Sequence, residues 1–181
     1  MFSNYTGVQV FTPQETQKKT HQKLPSESVL LIGEYLVERA ETLSVAESCT
    51  GGQIAVACTS VAGASRWFVE GLVTYANSAK VNRLGVAEQS LQENGAVSAV
   101  VASEMAQGVQ RSAGTTYGIA TTGIAGPTGG TPGKPVGTIF VALATPQETI
   151  VQRLLCKGDR QENQTETVQT ALNMVCSHFN L

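Results

Sequence analysis

The feature that most narrows the fold is one continuous join. The apolar stretch TLSVAE, residues 42–47, runs through Ser48-Cys49-Thr50-Gly51-Gly52 straight into QIAVACTSV. The first piece suits a short buried strand, the glycines suit a tight turn, and the small apolar run suits a buried helix. A strand that feeds directly into a helix commits the chain to α/β packing. The pattern then repeats: WFVEGLVTY, 67–75, reads as a strand, and a helix beginning at Asn77 carries Lys80, Val81 and Leu84 before Gly85 stops it. Ser98 caps a helix through Val101, Met105 and Val109, and YGIATTG, 117–123, is a further strand. Two strands at 136–145 and 148–156 are joined at Pro146-Gln147, too short a link for anything but an antiparallel hairpin. Helical spacing flanks the strands, in Val29, Ile32, Leu36, Val37 and Ala40 behind a Ser26 cap, and in Val168, Leu172, Val175 and Phe179 after Asp159. The expectation is an α/β fold, a three-layer α/β/α sandwich with a mixed, mostly parallel sheet.

Composition limits what such a domain can do. With 181 residues, 41% of them hydrophobic, the chain builds one core. Residues 26–181 are expected to form it. Residues 1–25, polar and without helical or strand period, read as a flexible extension. Twelve Lys and Arg against 14 Asp and Glu argue against a nucleic-acid partner. Cys49, Cys58, Cys156 and Cys176 form no C-x-x-C pair, and His21 and His178 are far apart, so reduced thiols and no metal are expected. No apolar run suggests a bilayer span or a secretory leader, which gives a cytoplasmic expectation with no membrane partner. Small α/β proteins commonly form closed homo-oligomers, and that is expected here.

Four segments can carry chemistry. In AESCTGG, Ser48 stands between a strand end and a helix start, where backbone N–H groups without intrahelical partners can hold an oxyanion and Gly51 and Gly52 allow close approach. The plain alternative is that Ser48 or Thr50 merely caps the helix. In TYANSAK, Asn77 as N-cap puts Lys80 at the third helical position, where the helix dipole disfavours an ammonium. Lys80 therefore either reaches solvent or is kept for a lowered pKa. The loop 121–137, with Thr122, Gly123, Gly126, Gly129, Gly130 and Lys134, offers N–H groups to an anion or is simply a long turn. It matches neither the P-loop nor the dinucleotide fingerprint. Arg160, opening the last helix, either forks onto a phosphate or pairs with a surface acid. With histidines only at the periphery, a lysine is the natural substitute base, which points to Ser48 and Lys80.

At AESCTGG, TYANSAK with LGV following, ENGAVS, TGIAGPTGG, KPVGT and GDR, the chain resembles the C-terminal amidohydrolase domain of the CinA proteins, which also occurs alone as a nicotinamide-nucleotide amidase. The resemblance spans about residues 29–179. It implies hydrolysis of the carboxamide of nicotinamide mononucleotide to the acid mononucleotide and ammonia, without a cofactor, in pyridine-nucleotide recycling. It also implies Ser48 as nucleophile and Lys80 as base, with Tyr75 nearby. The substrate-binding set expected from these segments is Thr50, Gly51, Gly52, Asn77, Thr122, Gly123, Gly126, Gly129, Gly130, Lys134 and Arg160, for a small-molecule nucleotide. The pyrophosphatase domain of larger CinA proteins is not carried over. Two other classes stay open: a nucleotide-binding relative without turnover, and an oligomeric scaffold using residues 1–25 as an arm.

Overall fold

The computed structural model describes residues 8–11 and 25–181. Six strands, β1 (Val8–Phe11), β2 (Leu43–Glu47), β3 (Phe68–Val73), β4 (Tyr117–Gly123), β5 (Thr138–Ala144) and β6 (Thr149–Leu155), form one sheet in the order β1-β6-β5-β4-β2-β3. β2 pairs parallel with β3 and β4, β1 pairs parallel with β6, and β5 alone runs antiparallel to its neighbours. The helices are α1 (Pro25–Glu38), α2 (Gln53–Thr59), α3 (Asn77–Leu84), α4 (Glu88–Asn94), α5 (Ala99–Ala113) and α6 (Arg160–Phe179). The three-layer sandwich with a mixed, mostly parallel sheet is the architecture expected.

Strand pleating assigns the two cores. Val45, Ile119 and Val141 face a core shared with Ile32 and Leu36 of α1, Ile54 of α2 and Leu172 and Val175 of α6. Their chain neighbours Ala46, Ala120 and Ala142 face the opposite core with Met105 and Val109 of α5 and Leu84 of α3. One side of the sheet is thus lined by branched side chains and the other by alanines. That small-residue face lets α5 lie close to the sheet. At Gly118 an added Cβ would meet the Ala106 carbonyl of α5.

Local signals set most boundaries. Ser98 Oγ accepts from Val101 N at the start of α5, and Asp159 and Glu162 form a reciprocal capping box on α6. The β5–β6 link is a hairpin tied by Thr145, whose Oγ1 accepts from the N–H groups of Gln147 and Glu148.

Four expectations need correction. Val8–Phe11 is a strand on the β6 edge although its sequence shows no strand period; a pairing partner supplied by β6 replaces the missing local signal. The rest of the expected extension up to residue 24 lies outside the described residues. α1 starts at Pro25, which suits a first helical position, so Ser26 is inside the helix and not its cap. The cap position of α3 is Ala76, which moves Asn77 to the first helical position and Lys80 to the fourth. Helix α4 was not expected, because its N-cap is Ala87 with no side-chain cap. Its cap comes from outside: Glu104 of α5 accepts from Ala87 N at 3.0 Å and also from Ser90 Oγ.

The close α3–α5 contact generates a stability test. A Cβ at Gly108 of α5 would run into the carbonyl and Cβ of Leu84 at the end of α3. Helix propensity alone makes Gly108→Ala a gain of about 0.5–1 kcal/mol. Overpacking at this contact should reverse the sign and cost about 1–3 kcal/mol, read by urea denaturation.

Candidate active site

The parallel strands β2, β3 and β4 end at one edge of the sheet, and β6, antiparallel to β5 like β4, ends there too. Crevices outside carboxyl strand ends are where open α/β sheets bind ligands. The ladder continues one step beyond the strands, with Ser48 N donating to Thr121 O at 3.0 Å and Thr74 N to Glu47 O at 2.9 Å. The pleat then separates three consecutive side chains.

Glu47 points to the α2 side. Its carboxylate, 1% exposed, accepts from Gly52 N at 3.0 Å, Ile54 N at 3.2 Å and Ala55 N at 2.8 Å. An anion at a helix N-terminus satisfies the orphan donors and the dipole together. This overturns both sequence readings of the turn. The N–H groups at the head of α2 are not available to an oxyanion, and neither Ser48 nor Thr50 caps the helix. Thr50 Oγ1 is instead 2.7 Å from Thr121 Oγ1, in the interior.

Ser48 points to the opposite side and meets Lys80 of α3. Lys80 is 1% exposed, and its Nζ donates to Ser48 Oγ at 3.0 Å, Thr74 O at 2.8 Å and Tyr75 O at 3.1 Å. No acidic side chain forms an ion pair with it among the described residues. Burial disfavours the ammonium and lowers the Lys80 pKa below its usual 10.5. Cys49 turns back into the core beside α2 and α6, where burial pushes its thiol up to about 12. Of the two neighbouring candidate nucleophiles, only Ser48 has a base beside it.

Above the pair is a cavity of about 200 Å³. Tyr75, Asn77, Thr122, Gly123 and Arg160 border it together with Ser48, Lys80 and part of Cys49, and Ala96, Val97 and Ala125 supply apolar wall. Thr122 Oγ1 donates to Ala96 O at 2.8 Å, holding that wall to β4. Arg160 Nη1 donates to Gly126 O at 2.8 Å and Nη2 to the Tyr75 hydroxyl at 3.0 Å, so the guanidinium is aimed across the mouth. The lining contains the Arg160 guanidinium and the Lys80 amine and no acidic side chain.

Several expected residues are not brought to this lining. Gly51 and Gly52 shape the turn with φ of 65° and 103°. Gly129 and Gly130 lie further out in the loop, with Gly130 against Val136. Lys134 Nζ donates to Asn94 O at 2.6 Å, using its charge on the carbonyl end of α4, a favourable place for a cation. Lys134 is therefore a tie between the Gly-rich loop and α4. Sequence reasoning missed Glu47, although an acid directly before the serine was in view, and missed Ala96 and Val97 of ENGAVS as wall residues. Among the described residues, no group of three His, Cys, Asp or Glu side chains could hold a metal ion, and no helix is long and apolar enough to cross a membrane.

The fold and site define a class: an α/β/α sandwich with a buried serine–lysine pair at the carboxyl edge of its sheet. The sequence profile of the CinA C-terminal domain matches residues 26–179, and the chain belongs to that family. A CinA-like protein of Geotalea daltonii is 52% identical over 132 residues, 73% of this chain and 32% of the relative. A CinA-like protein of Kosmotoga olearia is 49% identical over 134 residues, 74% of this chain and 32% of the relative. The matched segment is thus about one third of the length of these curated relatives. Among solved structures, a CinA superfamily protein from Escherichia coli superposes with a TM-score of 0.85 at 30% identity, covering 89% of this chain and 94% of that one. The competence/damage inducible protein CihA from Agrobacterium tumefaciens gives a TM-score of 0.82 at 37% identity, covering 84% and 94%.

The lowered pKa of Lys80 has a stability consequence with a definite sign. Between the lowered value and 10.5 the unfolded chain binds more protons at this site than the folded one, so folding is favoured by raising pH. The stability of the wild-type chain relative to Lys80→Met should rise as pH is raised towards 10.5 and level off above it. Urea unfolding of both proteins from about pH 7 to pH 10 reads this difference. A gap that is flat or closes in the opposite direction would mean that Lys80 keeps an ordinary pKa.

Proposed function

We propose that the chain is an amidohydrolase that converts nicotinamide mononucleotide to nicotinic acid mononucleotide and ammonia through an acyl-enzyme on Ser48. The observation that carries this reading is the 3.0 Å approach of Lys80 Nζ to Ser48 Oγ in a buried setting with no acidic partner among the described residues. A neutral amine has two N–H donors and one lone pair. The carbonyls of Thr74 and Tyr75 are positioned for the two donors of the neutral amine, in which the Ser48 contact reverses and the hydroxyl donates to the nitrogen lone pair.

Ser48 Oγ attacks the carboxamide carbon while its proton passes to Lys80. The Lys80 ammonium returns that proton to the amide nitrogen as the C–N bond breaks, and ammonia leaves. Water then attacks the acyl-enzyme with Lys80 as base, releasing the acid and restoring the Ser48 hydroxyl. Tyr75 contributes twice, through its carbonyl on Lys80 and its hydroxyl on Arg160. Its ring, 60% exposed at the mouth, can face a pyridinium cation. The Arg160 guanidinium and the lack of an acidic side chain in the lining favour an anionic substrate, and Arg160 is the group assigned to the phosphate.

Ammonia release from the mononucleotide tests the reading against a binding protein that uses the same pocket without turnover. Ser48→Ala should abolish release while Cys49→Ala retains it; the reverse result moves the nucleophile to the thiol. Lys80→Arg keeps the charge but cannot give up a proton, so it should be nearly as inactive as Lys80→Ala. The wild-type rate should rise with pH through the lowered Lys80 pKa, because only the neutral amine accepts the Ser48 proton.

Arg160→Ala should lower turnover of the mononucleotide by roughly ten-fold or more, mostly in KM, with a smaller effect on the phosphate-free riboside. Equal losses on the two substrates would make Arg160 a structural residue of the mouth.

A further inference from the structure

The Ser48 turn is gripped from a second side by a residue that the mechanism does not use. Gln164 lies one helical turn beyond Arg160 on α6, and its Nε2 donates to the Cys49 carbonyl at 2.7 Å. A carbonyl can only accept, so the amide orientation is fixed, and Oε1 of Gln164 accepts from Gln53 Nε2 of α2 at 3.1 Å. Gln164 does not border the cavity.

We propose that Gln164 is a positioning residue for the nucleophile: by holding the Cys49 carbonyl it fixes the Cys49–Thr50 peptide plane, one residue beyond Ser48, and ties the turn to the helix that carries Arg160. This rests on the reading of Ser48 as nucleophile. Three observations converge on it. The Ser48–Gly51 turn has one internal backbone bond, Gly51 N to Ser48 O at 3.2 Å. Gly51 and Gly52 at its end take positive φ and carry no side chain, so that end of the turn is held through its backbone. Glu47 secures the far end of the turn, at Gly52, through the head of α2. The Cys49 peptide in between is held by Gln164. Planarity transmits that hold, because a fixed Cys49 carbonyl direction fixes the Thr50 N–H direction of the same peptide unit, and with it the path of the chain leaving Ser48. The neighbouring Asn163 holds the third wall in the same way, with Nδ2 donating to Ala125 O at 2.9 Å. The first turns of α6 thus fasten Cys49, Ala125 and Gly126 in one frame, and Gln164 is the member that reaches the nucleophile.

The test uses the full chain and reads Ser48 directly. A small dialkyl fluorophosphate labels a competent serine: Ser48 Oγ bonds to phosphorus, the P–F bond breaks, fluoride leaves, and the serine proton goes to Lys80. Gln164→Leu removes the donor, and Gln164→Glu replaces it with an acceptor. Both are good helix formers at a half-buried position, and thermal melting verifies that each variant is folded. The expected result is a labelling rate at least about five-fold slower in both variants, with kcat for the mononucleotide falling in parallel and KM within about two-fold of wild type. Labelling slowed by less than that, or a raised KM with unchanged kcat, overturns the assignment. Wild-type labelling at Ser48 without ammonia release sinks the amidase reading but leaves Gln164 to be judged by the label. A wild-type chain that does not label at Ser48 removes both.

Discussion

An amine buried without a counter-ion is the constraint around which this structure is arranged. Lys80 is as buried as the leucines of the core, and among the described residues no carboxylate pairs with it. Removing an ammonium from water is costly, and the least expensive answer is to bind the neutral form and satisfy its polar atoms. Two main-chain carbonyls and one hydroxyl do that, and all three lie at strand ends or directly beyond them. Their convergence requires β2 and β3 to be parallel neighbours, and requires α3 to begin within a few residues of the end of β3. The alanine face of the sheet and the glycine in α5 bring the α3–α5 layer down far enough for Nζ to reach. Because burial is what lowers the Lys80 pKa, any loosening of the packing that admits water moves it back towards its ordinary value.

Glu47 and Lys80 show how the strand pleat keeps two opposite charges apart. They approach the same turn, yet the carboxylate is committed to α2 on one face and the amine to Ser48 on the other. A direct pairing of the two would raise the lysine pKa and remove the base. The alternation of side chains along β2 prevents it without any additional element. The same alternation sends Cys49 into the apolar core, where a raised pKa keeps the thiol protonated.

Legibility in the sequence followed the range of the physics involved. Strands, helices and the β5–β6 hairpin were readable because periodicity and turn chemistry act over a few residues. The caps at Ser98 and Asp159 were readable for the same reason. The N-termini of α2 and α4 were not, because each is satisfied by a glutamate outside the cap position: Glu47 from the preceding strand and Glu104 from the following helix. Lys134 failed in the same way. A lysine in a glycine-rich loop has the composition of an anion site, but its charge is taken by the Asn94 carbonyl, which only the fold brings near. Ser48, Lys80, Tyr75 and Arg160 were identifiable as residue types in ordered motifs, while their meeting depended on the strand order. β1 lacked any local signal, since its place is defined by the free edge of β6.

The division of labour around the pocket follows from which elements can move independently. β2 and β3 hold the reacting pair through ladder hydrogen bonds that continue past the strands, so this part of the site is as rigid as the sheet. The mouth is built differently, from the Tyr75 side chain, the loop after β4 and the first turn of α6, joined mainly through the two guanidinium bonds of Arg160. An anion that binds Arg160 competes with Tyr75 and Gly126 for the same N–H donors, so ligand binding and closure of the mouth draw on one group. The Ser48–Lys80 contact thereby sits at ladder-bonded strand ends and the Arg160 guanidinium at the looser mouth. The two guanidinium bonds of Arg160 can therefore rearrange without altering the 3.0 Å Lys80–Ser48 contact, on which the proposed proton transfer rests.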